Sequence, residues 1–247
     1  MRSTRWGAGL LVTALLTALP ATYAATDAAG SGRPTVGDCH ALSAKQAGHA
    51  TDSSTPVACS SPHTTRVIKV ADLPSGTTWD SLTPTQVGKL GVTECFPAFR
   101  RALGQSDKVR DSTAYEWIFF EPTSAERTSG ANWIRCDLVL LKGTSLKALP
   151  TDAVPALSSS HLSNGVRRCA TGSQHYTTLC SASHNYRSTG AFTVTGSYPG
   201  DAKLGQIAAK RCPALVSTRR YLYTHKAKFV WNKVHDHAVV CFSNRSN

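Results

Sequence analysis

Eight cysteines and a single methionine in 247 residues constrain this chain more than any other feature. An even, high cysteine count points to an oxidising compartment and a covalently stapled fold. Residues 147–166 hold Pro150, Pro155 and the run Ser158-Ser159-Ser160, and this linker divides the cysteines four and four. The first set is Cys39, Cys59, Cys95 and Cys136; the second is Cys169, Cys180, Cys212 and Cys241. Cys59-Ser60-Ser61-Pro62-His63 is echoed by Cys180-Ser181-Ala182-Ser183-His184, so each set places a histidine four residues after its second cysteine. The matching order predicts a duplication, with halves at residues 36–146 and 167–247.

Hydrophobic periodicity extends the match. Thr65 to Leu73 and Arg187 to Thr195 read as strands, and in the second Phe192 and Val194 share one face. Thr83-Pro84 suits a helix start, after which Val87, Leu90, Cys95, Ala98, Phe99 and Ala102 fall near one helical face and Gly104 ends it. Asp201 opens the counterpart, with Leu204, Ile207, Ala208, Leu215 and Leu222 as its stripe. Pro97 and Pro213 each follow the helix cysteine, predicting a kink or split in both helices. Two closing strands are expected per half: Tyr115 to Phe120 and Asn132 to Leu141, then Ala227 to Asn232 and His237 to Phe242. The fold class is α+β: two related disulfide-stapled halves, each a small mostly antiparallel sheet packed with one kinked helix.

Eight cysteines permit 105 pairings, and confinement within halves leaves nine. The economical choice is sequential: Cys39–Cys59, Cys95–Cys136, Cys169–Cys180 and Cys212–Cys241. Each second pair then staples the helix to the last strand of its half. A zinc knuckle or redox dithiol would need a Cys-x2-Cys pair, and the sequence has none. No cofactor is expected.

The N-terminus reads as an export signal over residues 1–24. Arg2 and Arg5 precede an apolar run from Gly7 to Leu19, Pro20 breaks it, and Thr22-Tyr23-Ala24 offers small residues for cleavage after Ala24. An uncleaved N-terminal anchor is the competing reading, because Trp6 to Ala25 carries no charge. Residues 25–35 form a flexible leader rich in Ala, Gly and Ser. The chain as a whole is ordinary globular material, 41% hydrophobic and 17% charged. Its formal net charge of +12 favours anionic partners.

Val36-Gly37-Asp38-Cys39, then Val57-Ala58-Cys59-Ser60-Ser61-Pro62-His63, a strand and a helix cysteine at Cys95 together resemble the septum-formation-related domain of exported actinobacterial envelope proteins. Trp133 followed by Cys136 is similar to that domain's closing strand. The second half resembles it less closely: Val166-Arg167-Arg168-Cys169 lacks the Gly-Asp pair, and Ser183 replaces the proline before His184. The resemblance implies an envelope protein linked to cell division. It supplies no catalytic residue.

His63 and His184 are the repeated motif histidines. One reading makes them ligands or proton donors in a groove; the other has each imidazole hydrogen-bond its own loop and order the turn into the strand. Basic residues gather late, at Arg167-Arg168, Lys210-Arg211, Arg219-Arg220, Lys226 and Lys228, interleaved with Tyr221, Tyr223, Phe229 and Trp231. Of these, Lys210, Arg211, Arg219, Arg220, Lys226 and Lys228 form the candidate anion-binding set. No nucleic acid is expected, because an exported protein seldom meets it and no phosphate loop or helix-turn-helix is present. The expected partner is an anionic cell-wall polymer or an acidic envelope or division protein, and the expected role is a noncatalytic binding or scaffold module. Two other classes compete. One is a wall-acting hydrolase drawing on Glu94, Glu116, Glu121 and Glu126; the other is a metal binder using His225, His235 and His237, two of which would share a face of a strand.

Overall fold

The structure is a computed structural model that describes residues 32–104, 106–151, 157 and 162–245. The export signal, most of the leader and part of the linker lie outside the described residues.

The first half begins with the short strand β1 (Cys39–His40) and helix α1 (Ala44–Ala47), then β2 (Thr65–Asp72) and the twenty-residue α2 (Pro84–Leu103). Helix α3 (Asp107–Asp111), β3 (Tyr115–Phe120), α4 (Ser124–Thr128), β4 (Trp133–Lys142) and β5 (Ser145–Leu146) complete it. All strand pairs are antiparallel, in the order β1-β2-β4-β3, with β5 folding back on β4. Strand β4 is buried from Trp133 to Leu140, so it is apolar on one face and carries Arg135 and Asp137 on the other. Ile134, Cys136 and Leu138 meet α2, whose buried face is Gly91, Cys95, Phe96, Ala98, Phe99 and Leu103.

The helix starts of α1, α2 and α4 are capped by side chains, whereas α3 has no side-chain cap at Ser106. Thr83 Oγ1 accepts from the Gln86 amide while Gln86 Oε1 accepts from the Thr83 amide, and Ser43/Gln46 and Thr123/Glu126 repeat the arrangement at α1 and α4. Helix α2 runs unbroken through Pro97, so of the expected kink or split the split does not occur. The lost backbone bond is outweighed by anchors on either side: the Cys95–Cys136 disulfide and the buried rings of Phe96 and Phe99. Gly91 brings α2 close to β3, for a Cβ there would lie 2.6 Å from the Phe119 ring.

The second half comprises β6 (Arg168–Thr171), β7 (Tyr176–Leu179), β8 (Tyr186–Thr193), α5 (Asp201–Arg211), β9 (Tyr221–His225), α6 (Lys228–Val234) and β10 (Ala238–Asn244), in the sheet order β7-β6-β8-β10-β9. Two expectations are corrected here. Ala227 to Asn232 is not a strand; Lys228–Val234 is helix, because Val230, Trp231 and Val234 recur at helical spacing and all pack inward. The first of the two closing strands instead covers Tyr221–His225, so Leu222 belongs to it and not to the helical stripe. Helix α5 does stop before Pro213, and Cys212–Ala214 adds one 3-10 turn. Neither α5 nor α6 has a side-chain cap: their first flanking residues are Gly200 and Ala227.

With those corrections the duplication is closer than the sequence implied. Apart from α1, α3 and β5 in the first half and β7 in the second, both halves run strand, strand, helix, strand, short helix, strand, and the final shared strand, β4 or β10, lies inside the sheet. Cys39 stands opposite Arg66 and Cys169 opposite Arg187, each three residues after the motif histidine. Cys136 stands opposite Lys69 and Cys241 opposite Gly190, each six residues after it. Each pair of strands has a one-residue bulge just before that point, at Ile68 and at Thr189. All four disulfides follow the sequential pairing.

The halves share one core. Leu179, Val230 and Val234 of the second pack with Phe96, Phe99 and Leu103 of the first. Backbone bonds cross as well, from the Ala114 amide to the Val166 carbonyl and from the Arg168 amide to the Ser112 carbonyl, 2.8 Å each.

Candidate anion-binding groove

Of the six cations singled out in the sequence, the structure brings two together with a third that sequence reasoning missed. Lys210 and Arg211, in the last turn of α5, and Lys108, on α3 of the first half, rim a groove of about 600 Å³. Its floor is Ala191, Phe192 and Thr193 at the end of β8 with Ala214 and Leu215 after the 3-10 turn, and no carboxylate lines it. All three cations are exposed. The C-terminal end of a helix carries partial negative charge, which basic residues in the last turn offset.

Arg211 is fixed in place. Its guanidinium lies 4.0 Å from the centroid of the Phe192 ring, and Nη1 donates to the Thr193 carbonyl at 3.0 Å. Leu215 is seated on Gly190, where a Cβ would come within 2.9 Å of the Leu215 Cβ. The Cys212–Cys241 disulfide ties the end of α5 to β10 directly beneath. The duplicated half supplies a contrast at the same place. There the residue before the helix cysteine is Glu94, paired at 2.6 Å with Lys69, the counterpart of Gly190. A neutral ion pair in one copy is therefore an open cationic groove in the other.

The remaining cations lie elsewhere. Arg219 and Arg220 are exposed on the loop into β9, where the Arg220 carbonyl accepts from the Asn244 amide. Lys228 borders a separate cavity of about 490 Å³ with Phe229, Asn232 and Lys233. Lys226 is not a surface cation: its ammonium lies 3.2 Å from Asp111 in a charge cluster between the halves. Arg110 of α3 is 1% exposed and sits between Asp107 and Asp236, itself fully buried and 3.5 Å away. Three carboxylates and two cations meet there, and burial followed by repulsion from Asp111 pushes the Asp236 carboxyl up to about 6. Burial works to lower the Lys226 ammonium, but Asp111, Glu116 and Asp236 outweigh it and its pKa rises. Sequence reasoning missed this cluster because its members lie 126 residues apart; the one local trace was the charge-dense run Asp107 to Asp111.

His63 and His184 occupy equivalent positions and make equivalent bonds. His63 Nδ1 donates to the Ser61 carbonyl at 2.9 Å, and His184 Nδ1 to the Ala182 carbonyl at 2.7 Å. In both, Nε2 is buried with no hydrogen-bond partner among the described residues. They order the turns into β2 and β8, and neither opens into the groove.

A second buried polar network lies on the far face of β4. Arg135 grips Asp137 with Nε and Nη2 at 2.9 and 3.0 Å and reaches Asp52 at 2.7 Å, its guanidinium 4.4 Å from the Phe120 ring centroid. Burial, then the Arg135 charge, lowers the pKa of His40 and keeps it neutral. Burial opposes ionisation of Asp52, yet hydrogen bonds from Arg135 and Ser54 hold its carboxyl below the usual range. Burial dominates at Asp137 and raises it. Ser54 and Asp52 both face Nδ1 of His40 while Nε2 is buried without a partner. A nucleophilic triad needs the serine and the carboxylate on opposite ring nitrogens, so this is a structural network.

The carboxylates of the hydrolase reading are individually engaged: Glu94 with Lys69, Glu121 with Arg127 at 3.6 Å, Glu126 in the α4 cap, and Glu116 at the Trp117 amide. His235 is not on a strand; it ends α6 in the left-handed region at φ 55°. His237 Nε2 is 3.1 Å from the Trp231 carbonyl with the rings stacked, and His225 Nε2 is 3.6 Å from Asp201. Among the described residues no three His, Cys, Asp or Glu side chains gather as a metal-holding group. Among them, too, no helix is long and apolar enough to cross a membrane.

A family model described as septum formation matches residues 9–120 and 36–238. Neither curated proteins nor solved structures yield a match to the chain.

Proposed function

The chain belongs to the septum-formation family, and on that premise we propose that it is a noncatalytic binding module of the cell envelope whose second half holds an anionic wall polymer. The observation that carries the reading is the acid-free groove rimmed by Lys108, Lys210 and Arg211, fixed by a disulfide and a stacked guanidinium. Four disulfides favour an oxidising, extracytoplasmic setting, where such polymers occur. The engagement of Glu94, Glu121 and Glu126 in ion pairs and a cap favours binding over hydrolysis.

Co-sedimentation of the oxidised protein with isolated cell walls, across a salt series, tests the reading. Pelleting at low salt that weakens with added salt and disappears from walls stripped of anionic polymer is the expected result, since exposed charge pairs are screened. Pelleting that persists on stripped walls redirects the search to an acidic division protein. Failure to pellet under any condition overturns wall binding.

A further inference from the structure

The ligand chemistry of the groove can be drawn more narrowly, resting on the reading that it binds an anion of the envelope. The interior of a polyanionic wall polymer is polar along its length and would leave an apolar floor unused. Here the floor is mostly apolar, made of Ala191, Phe192, Ala214 and Leu215 with Thr193 at the end of β8, and the cations sit at the rim. The floor is also rigid: Leu215 rests against Gly190, and its amide donates to the Cys212 carbonyl at 2.7 Å. Arg211 presents a fork already oriented by Phe192 and Thr193, suited to two oxygens of a phosphate. Lys108 approaches from α3, across the groove from α5. The other copy argues the same way by contrast: with Lys69 in place of Gly190 and Glu94 in place of Arg211, that position is filled by an ion pair.

We infer that the groove takes a phosphate ester of an apolar chain, the phosphate held between Lys108, Lys210 and Arg211 and the first methylenes lying on Ala191, Ala214 and Leu215. Each methylene buried on that floor multiplies affinity about fourfold. A few methylenes therefore separate an alkyl phosphate from inorganic phosphate by more than about tenfold. Two envelope components have this chemistry: an anionic phospholipid, and the lipid-linked end of a wall polymer.

Calorimetric titration of the full oxidised protein with hexyl phosphate, inorganic phosphate and hexanol tests the inference. Hexyl phosphate binds one to one, at least about tenfold tighter than inorganic phosphate, and hexanol does not bind measurably. Arg211→Glu and Lys108→Glu each weaken hexyl phosphate at least about tenfold while circular dichroism stays at the parent values; both residues are exposed, and the thermal midpoint falls by a few degrees at most in Arg211→Glu, which gives up its contact with the Phe192 ring. Equal affinity for inorganic and hexyl phosphate, or unchanged affinity in Arg211→Glu, overturns the proposal. If walls still pellet the protein while hexyl phosphate does not bind, the amphiphile is wrong and polymer binding stands. If neither binds, both fail. Where hexyl phosphate does bind, flotation with phosphatidylcholine vesicles containing phosphatidylglycerol, and not with pure phosphatidylcholine, assigns the ester to a bilayer phospholipid; no flotation with either assigns it to the lipid-linked polymer end.

Discussion

Asp236 offers a test in which the sign of the effect is the result. Its carboxyl is fully buried among Arg110, Asp107, Asp111 and Lys226, and burial with the Asp111 charge raises its pKa from 3.8 to about 6. A carboxylate whose folded value lies above its unfolded value opposes folding when ionised. The stabilising contribution of the protonated form is complete below about pH 4 and is lost as pH rises through about 6. A rise of roughly two pH units at about 1.4 kcal/mol each amounts to about 3 kcal/mol as an order of magnitude. Asp236→Asn keeps the shape and removes the ionisation. Urea unfolding of oxidised parent and variant from pH 4 to 7.5 should therefore show near-equal stability at pH 4 and a variant more stable by about 1–3 kcal/mol above pH 6.5. The opposite result refutes the reasoning. A variant less stable than the parent at pH 7.5 by about 2 kcal/mol or more would mean that the Arg110 ion pair outweighs the cost of desolvating it.

Three further outcomes are expected. Arg135→Ala leaves Asp137 and Asp52 buried without their guanidinium and should cost about 3–5 kcal/mol in urea unfolding. Gly91→Ala should lower the thermal midpoint despite better helix propensity, because the new methyl lies 2.6 Å from a packed Phe119 ring and overpacking of about 1–3 kcal/mol exceeds a gain of about 1. Replacing both Cys212 and Cys241 by alanine opens a loop of sequence separation 29 and should cost up to about 4 kcal/mol, measured as a shift in the urea midpoint, with a parallel loss of wall pelleting because α5 is released from β10.

What could be read from the chain depended on how local the signal was. Cysteine order and the Cys-x3-His echo exposed the duplication and the disulfide pairing, and Tyr115–Phe120 and Thr65–Asp72 followed from their own pattern. Lys228–Val234 misled because Phe, Val and Trp favour strands by propensity, whereas its Val230 and Val234 are held at helical spacing against the first half. That partner surface is invisible without the other half folded. The groove was half legible. Lys210 and Arg211 stood out as a basic pair, but Lys108 joins them from a helix about a hundred residues earlier in sequence, and Lys226, equally basic on paper, is turned inward to Asp111. Charge counts do not tell a solvated cation from one neutralised by a distant carboxylate.

The uneven capping of the two halves bears on how such a duplicated protein can change. Three helices of the first half begin with reciprocal side-chain caps, each worth about 1 kcal/mol; α5 and α6 of the second begin at Gly200 and Ala227 with none. Because Val230 and Val234 are seated on the first half's Phe96 and Phe99, the second copy draws on stability generated outside it. One copy thus acts as a chaperoning scaffold within the same chain, and the other can drift in surface chemistry without crossing its own threshold for folding. New ligand specificities in chains built this way should accumulate on the uncapped copy, while substitutions in the capped one register first as loss of the whole protein.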